Sequence, residues 1–169
     1  MALSSTLAVS AFTEVTGASG LGTARIPAGL SRAVTLASGT GAGKADKAYT
    51  ARRTLAASAT EDLDLDGVLT DAFGATITFA RVKGLFIAAA ASNTNGVVVG
   101  AASSNAWASL LNATGTITLR PGAALALVAG AADATGYAVT ASTGDVLKVA
   151  NSAGGSPVSY DICIVGTSA

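Results

Sequence analysis

Residues 85–99 read LFIAAAASNTNGVVV. Leu85, Phe86 and Ile87 open an apolar run, Val97, Val98 and Val99 form a second, and the segment between ends in Asn95-Gly96. Branched and aromatic side chains fit a pleated surface. Asn-Gly supplies two residues that tolerate positive φ, so the pattern predicts a type I′ hairpin joining the two runs. Ala88 to Ala91 would favour helix in isolation. No apolar stripe at i, i+3, i+4, i+7 extends from them, and turn formers follow directly. This stretch therefore reads as strand, turn, strand.

The same signature continues in both directions. Thr76-Ile77-Thr78-Phe79 is a short β-branched segment, and Gly115-Thr116-Ile117-Thr118-Leu119 echoes it. Asp66-Gly67 reads as a hairpin turn. Thr116 to Leu119 and Leu125 to Val128 flank Arg120-Pro121-Gly122, which suits a type II turn with Pro at i+1 and Gly at i+2. Val146 to Val149 is another short strand. Val158, Tyr160, Ile162 and Ile164 alternate with Ser159, Asp161 and Cys163 in a last, one-face-buried strand. The only helix candidate is a turn over 104–111. Roughly seven to nine short strands with frequent turns give a β-sandwich or barrel.

The first 50 residues read differently. Leu3, Leu7, Val9 and Val15 fall on one face of an extended segment over 2–15, with Ser4, Thr6, Ser10, Glu14 and Phe12 on the other. Gly17 to Gly22 reads as a flexible joint, Leu30 to Leu36 as a short apolar segment, and Ser38 to Asp46 as a second loose stretch. Residues 1–50 are thus expected to form an N-terminal arm and edge segment, and 51–169 a β-sandwich domain.

Composition narrows the chemistry. The 169 residues include no histidine and one cysteine, with ten Lys/Arg against ten Asp/Glu and charged residues at 12% of positions. Enzyme and metal sites draw heavily on His, Cys and clustered carboxylates. Nucleic-acid binders need a basic surplus. A neutral surface built from Ser, Thr, Asn, Gly and Ala favours association. Cys163 has no intrachain partner and, between Ile162 and Ile164, is expected in or near the core. The N-terminus carries no Lys or Arg before its apolar residues, so a secretory n-region is not expected. The run Leu85 to Ala91 is too short to cross a bilayer.

Two motifs resolve into plain structure on inspection. Ser38 to Ala45 is similar to a phosphate-binding loop, but Ser38 occupies the first glycine position and Ala45 the Ser/Thr position. It reads as a glycine-rich turn. Asp62-Leu63-Asp64-Leu65-Asp66-Gly67 matches the opening of a calcium loop, but Phe73 stands where the bidentate acid is required. The alternation places Leu63 and Leu65 inward and the carboxylates outward. Lys44, Lys47, Arg52 and Arg53 are the nearby candidates to compensate those charges. No G-x-S-x-G elbow and no S-x-x-K pair is present. Trp107, Tyr49, Tyr137 and Tyr160 could stack on a sugar, but read first as core or interface anchors.

A family resemblance adds to this reading. Gly39-Thr40-Gly41-Ala42-Gly43-Lys44-Ala45-Asp46, then Arg53 to Gly67, Thr78 to Gly84, Pro121-Gly122, Leu147 to Ser152 and Tyr160 to Gly166 resemble small virion proteins of tailed bacteriophages. The resemblance covers roughly 39–169 and carries no catalytic residues. It implies a jelly-roll subunit that decorates or cements a capsid shell, made in the host cytoplasm and placed on the capsid exterior. The combined expectation is an all-β, jelly-roll-like β-sandwich with an extended N-terminal arm. It would be a homo-oligomer that binds the major capsid protein and copies of itself, and not an enzyme, with no cofactor, metal, nucleic acid or membrane partner. Leu3, Leu7, Val9 and Phe12 are the expected contact residues, with Arg52 and Arg53 at the rim. A tail, baseplate or host-binding β-protein and a carbohydrate-binding module remain as alternatives.

Overall fold

The computed structural model describes residues 2–169. It is all β, with one four-residue helix, α1 (Ala108–Leu111), at the place where the sequence suggested a turn. Eight strands build two facing sheets. β4 (Lys47–Leu55), β14 (Val158–Thr167), β8 (Arg81–Ala89) and β11 (Ala124–Val128) form the first, in the order β4-β14-β8-β11. β12 (Tyr137–Ala138) adds to one end of β8. β5 (Thr60–Asp64), β13 (Val146–Asn151), β9 (Val97–Gly100) and β10 (Thr116–Leu119) form the second, in the order β5-β13-β9-β10. Along these eight strands the chain changes sheet at every step, β4 to β5, β5 to β8, β8 to β9, β10 to β11, β11 to β13 and β13 to β14, except from β9 to β10. That alternation is the double Greek key of a jelly roll.

The core follows from the alternation along these strands. Leu85, Ile87 and Ala89 lie opposite Ile164, Ile162 and Tyr160 and point inward. Leu63, Leu147, Val149, Val97 and Val99 meet them from the second sheet. Leu63 and Leu65 are buried, whereas Asp62 is exposed and Asp64 and Asp66 only partly covered, as the period-2 reading requires. Trp107 is inside, its indole N–H donating to the Ala138 carbonyl at 2.8 Å.

Two turn expectations are corrected. Asn95-Gly96 makes no hairpin, because β8 and β9 belong to different sheets. Its loop instead carries the chain across the sandwich, and Asn95 is held by the β13–β14 loop: its Nδ2 lies 3.0–3.3 Å from Asn151 Oδ1 and the carbonyls of Ala153, Gly154 and Ser156. Asp66-Gly67 is an irregularity within β6 (Asp66–Thr70), where its pairing with β7 (Thr76–Thr78) shifts register. The turn of that hairpin is at Asp71, whose Oδ1 accepts from the N–H groups of Phe73 and Ala75. Arg120 to Ala123 does form the expected turn, with Gly122 at φ 77° and a 2.8 Å bond from Ala123 N–H to the Arg120 carbonyl. It too joins strands of different sheets.

The N-terminal region departs most from expectation. β1 (Ser5–Ser19) and β2 (Gly22–Ser38) pair antiparallel along their lengths, from Ser5 opposite Leu36 to Ser19 opposite Gly22. Gly17 to Gly22 is therefore the tip of a long two-stranded ribbon and not a joint to the sandwich. The ribbon returns through the glycine-rich turn to β3 (Lys44–Ala45), which pairs parallel with Ala37 and Ser38. The chain then enters β4 without a helix.

Candidate interaction surface

Opposite residues in a ribbon share a face. One face of this ribbon carries Leu7 with Val34, Val9 with Arg32, Ala11 with Leu30, Thr13 with Ala28 and Val15 with Ile26. The other carries Ser10 with Ser31, Glu14 with Pro27, Thr16 with Arg25 and Phe12 with Gly29. The ribbon is thus amphipathic, apart from Phe12 and Arg32. On the polar face Arg25 binds Glu14 at 3.1 Å.

The apolar face docks on the sandwich only at its base. Leu36, Ala45 and Val165 form a small buried cluster with Leu3, Leu7, Val34, Ala48 and Cys163 around it. Leu7 lies over Gly84 so closely that a Cβ there would be 2.3 Å from its Cδ1. Beyond this base the face is bare. Val9, Val15, Ile26 and Leu30 are all exposed, as is Leu21 at the tip. From Val9 to Ser19 the overhang is roughly 35 Å at the usual rise per residue.

The sandwich offers a matching surface beside the base. On the outer face of the β4-β14-β8-β11 sheet, Phe86 lies opposite Cys163 on one side and Ala126 on the other. A groove of about 260 Å³ runs between β1 and this face, lined by Leu7, Val9, Phe86, Ala126, Val128 and Cys163 among others. Phe86 is 44% exposed. Burial pushes the Cys163 thiol up from its ordinary pKa, so it is present here as the thiol and not as a reactive thiolate. A second hollow, about 420 Å³, lies between β4 and the β6–β7 hairpin, with Phe73 and Ile77 on one wall and Asp46 and Lys47 on the other.

The six residues expected at an interface thus divide. Leu3 and Leu7 anchor the ribbon to its own sandwich, and Val9 and Phe12 project from it. Arg52 is a fork on Asp161 of the neighbouring strand, at 2.7 and 2.8 Å. The hydrogen bonds of that fork hold Asp161 below the ordinary carboxylate range. Arg53 binds Glu61, whose other oxygen accepts from the Tyr160 hydroxyl at 2.6 Å. Burial, then Glu61, push the Tyr160 phenol well up. This trio ties β4 to β5 across the open side of the sandwich. Neither arginine compensates the aspartate run; Asp62 instead faces Lys148 across the ladder. Ile26 and Leu30 were missed as surface residues. The signal was available: apolar positions in 7–15 and 26–34 mirror one another about the Gly20-Leu21 turn.

Chemistry-bearing groups are dispersed. Among the described residues, no group of three His, Cys, Asp or Glu side chains is placed to hold a metal ion. Lys83 is buried with its amine 2.5 Å from the Asp133 carbonyl, and burial lowers its pKa. Trp107, Tyr49 and Tyr160 are buried, so the exposed aromatic platform that a carbohydrate-binding module would need is not built from them. Among the described residues, no helix is long and apolar enough to cross a membrane. No protein-family model, no curated protein and no solved structure matches the chain.

Proposed function

We propose that this protein is a virion structural subunit, a decoration or cement protein that binds the major capsid protein and its own copies on a phage head. The observation that carries this reading is the ribbon's bare apolar underside, on a chain with no net charge to oppose association. The ribbon is stiffer than a single-stranded arm. Its two strands already satisfy one another's inner backbone groups, so less ordering opposes binding than for a loose segment. Val9, Val15, Ile26 and Leu30 are 42–67% exposed, so covering them would contribute roughly half to two-thirds of the 1.5–3 kcal/mol of full burial, or about 1–2 kcal/mol for each side chain. That sum is comparable to the roughly 4–15 kcal/mol lost in rigid-body freedom. One ribbon alone therefore holds weakly, and strength comes from several contacts made together across a lattice.

The test is co-sedimentation with particles stripped of the protein. Removing residues 1–22 would leave β2 without its partner, so the ribbon is best shortened on both strands, joining Leu7 to Val34, a hydrogen-bonded pair of the ladder, through an Asn-Gly turn. The shortened protein is expected to fold and to occupy particles poorly. Equal occupancy by both forms would refute the role given to the ribbon. Labelled protein found on tails instead of heads would replace the decoration reading with the tail reading.

A further inference from the structure

The two edges of the ribbon are unequal. β2 carries Pro27, Arg25 and Arg32, and its far edge is further limited by β3 at Ala37 and Ser38. Proline and charge blunt an edge against pairing. β1 has no proline over fifteen residues, and its one charge, Glu14, is already engaged by Arg25. A two-residue turn closes the ribbon at Ser19 and Gly22, which fixes the alternation of the ladder. Odd-numbered residues of β1 bond to β2, so the N–H and C=O groups of Thr6, Ala8, Ser10, Phe12, Glu14, Thr16 and Ala18 point to the open edge.

We propose that β1 pairs with β1 of a second copy, antiparallel about a two-fold axis at Phe12, forming a dimer. Three independent features select this occupant and register. First, Phe12 is the midpoint of Ser5–Ser19, so this register alone uses the whole strand. Second, it keeps the faces matched: Val9 meets Val15 of the partner, Ser10 meets Glu14, and the two Phe12 rings, each 72% exposed, become neighbours on the polar face. No like charges meet. Third, it sends the end of each ribbon to the base of the other. Residues 15–18 pair with 9–6 of the partner, which is the β1 segment bordering the Phe86 groove. The incoming Val15 then faces the same side as Leu7 and Val9, toward that apolar floor. The contact continues the interface that the ribbon base already makes with its own sheet.

The scale fits a stable association. Seven pairs with two bonds each give about fourteen hydrogen bonds, against roughly ten in an average interface. Fifteen β1 residues plus the groove floor approach the ~20–30 residues a side of a standard interface. The pairing leaves Ile26 and Leu30 of both β2 strands on one widened apolar face. The dimer is independent of the shell-binding reading, because it forms without a shell.

Sedimentation of the purified full-length chain tests it. A dimer is expected at micromolar concentration; a monomer there would overturn the proposal. Ser10→Glu sets like charges against Glu14 at two symmetry-related points and should raise the dissociation constant several-fold, whereas Ser10→Lys should lower it by a similar factor. Ser31→Glu, at the same level on β2, should leave it unchanged. Circular dichroism checks that each variant folds. In a Cys163→Ser background, Phe12→Cys should oxidise to a covalent dimer and Ser31→Cys should not. Equal effects at positions 10 and 31, or cross-linking at 31 in place of 12, would show that β1 is not the paired edge.

Discussion

Replacing Gly84 with alanine sets a methyl carbon 2.3 Å from Leu7 Cδ1, 3.2 Å from Cδ2 and 3.3 Å from Cγ. All three neighbours belong to one side chain, so the clash is local to the ribbon base. Overpacking of this kind costs about 1–3 kcal/mol, reduced by about 0.5–1 kcal/mol because alanine loses less backbone entropy than glycine on folding. Leu7→Ala removes the same three carbons. Leu7 is half-buried, so its loss should cost about half of the 1.5–3 kcal/mol for full burial, or about 1 kcal/mol. The double variant puts the new methyl into the space the leucine vacated. It should be no less stable than Leu7→Ala alone, a favourable coupling of about 1–2 kcal/mol, within the range measured for residues in contact. Urea unfolding of the four proteins measures the cycle. Limited proteolysis should cut the ribbon of the Gly84→Ala protein faster than that of the double variant. Additive effects, with coupling under about 0.3 kcal/mol, would refute the seating of the ribbon on the sheet through Leu7.

Glu61→Leu should cost about 1–3 kcal/mol in urea unfolding, because the buried Tyr160 hydroxyl loses its acceptor; adding Tyr160→Phe should recover part of the loss. Asn95→Asp puts a carboxylate among four oxygens that now surround an amide nitrogen, and a cost of about 1–3 kcal/mol should lower the melting temperature by at least ~2 °C. Stability should be nearly flat between about pH 5 and 8, since no histidine titrates there. It should fall as the pH drops below about 4. Asp161 is held low by hydrogen bonds from Arg52, and Asp133 by the N–H groups of Gly136 and Thr135. A carboxylate depressed in the folded state stabilises above its unfolded pKa and loses that contribution as pH falls through the folded value. Both groups are exposed, so the decline from these two should be shallow in a thermal-melt series.

The period-2 pattern made individual strands legible, and with them the inward leucines at 63 and 65 and the one-sided burial of β14. Partners were not legible, for a physical reason. A turn dipeptide reports which φ values the chain can adopt, not which sheet the next strand joins. In a jelly roll, consecutive strands cross between sheets, so Asn95-Gly96 and Pro121-Gly122 serve crossings with the same chemistry that elsewhere makes hairpins. The ribbon shows the converse. Gly17 to Gly22 looks like a joint when read alone, because glycine marks both hinges and tips. The deciding information was non-local: Val15, Val9 and Leu7 match Ile26, Arg32 and Val34 at a constant sum of positions, and only Arg32 breaks the apolar pairing. Lys83 was illegible for another reason. Its burial depends on the 129–137 loop folding over it, which no local pattern encodes.

That non-local mirror also bears on what the surface does. A two-stranded ribbon is marginal by itself in water and is normally stabilised by a third strand or a packed face. Here the base has both, in β3 and the Leu36–Val165 cluster, while the distal half has neither. Its sequence nevertheless keeps a near-continuous apolar face and an edge free of proline over the whole of β1. In a free monomer those features only favour aggregation. Both features are what the proposed covering of the distal half by a partner would require. A ribbon built to remain in solvent would carry charge at Val15 and Ile26, as it does at Glu14 and Arg25 on its other face.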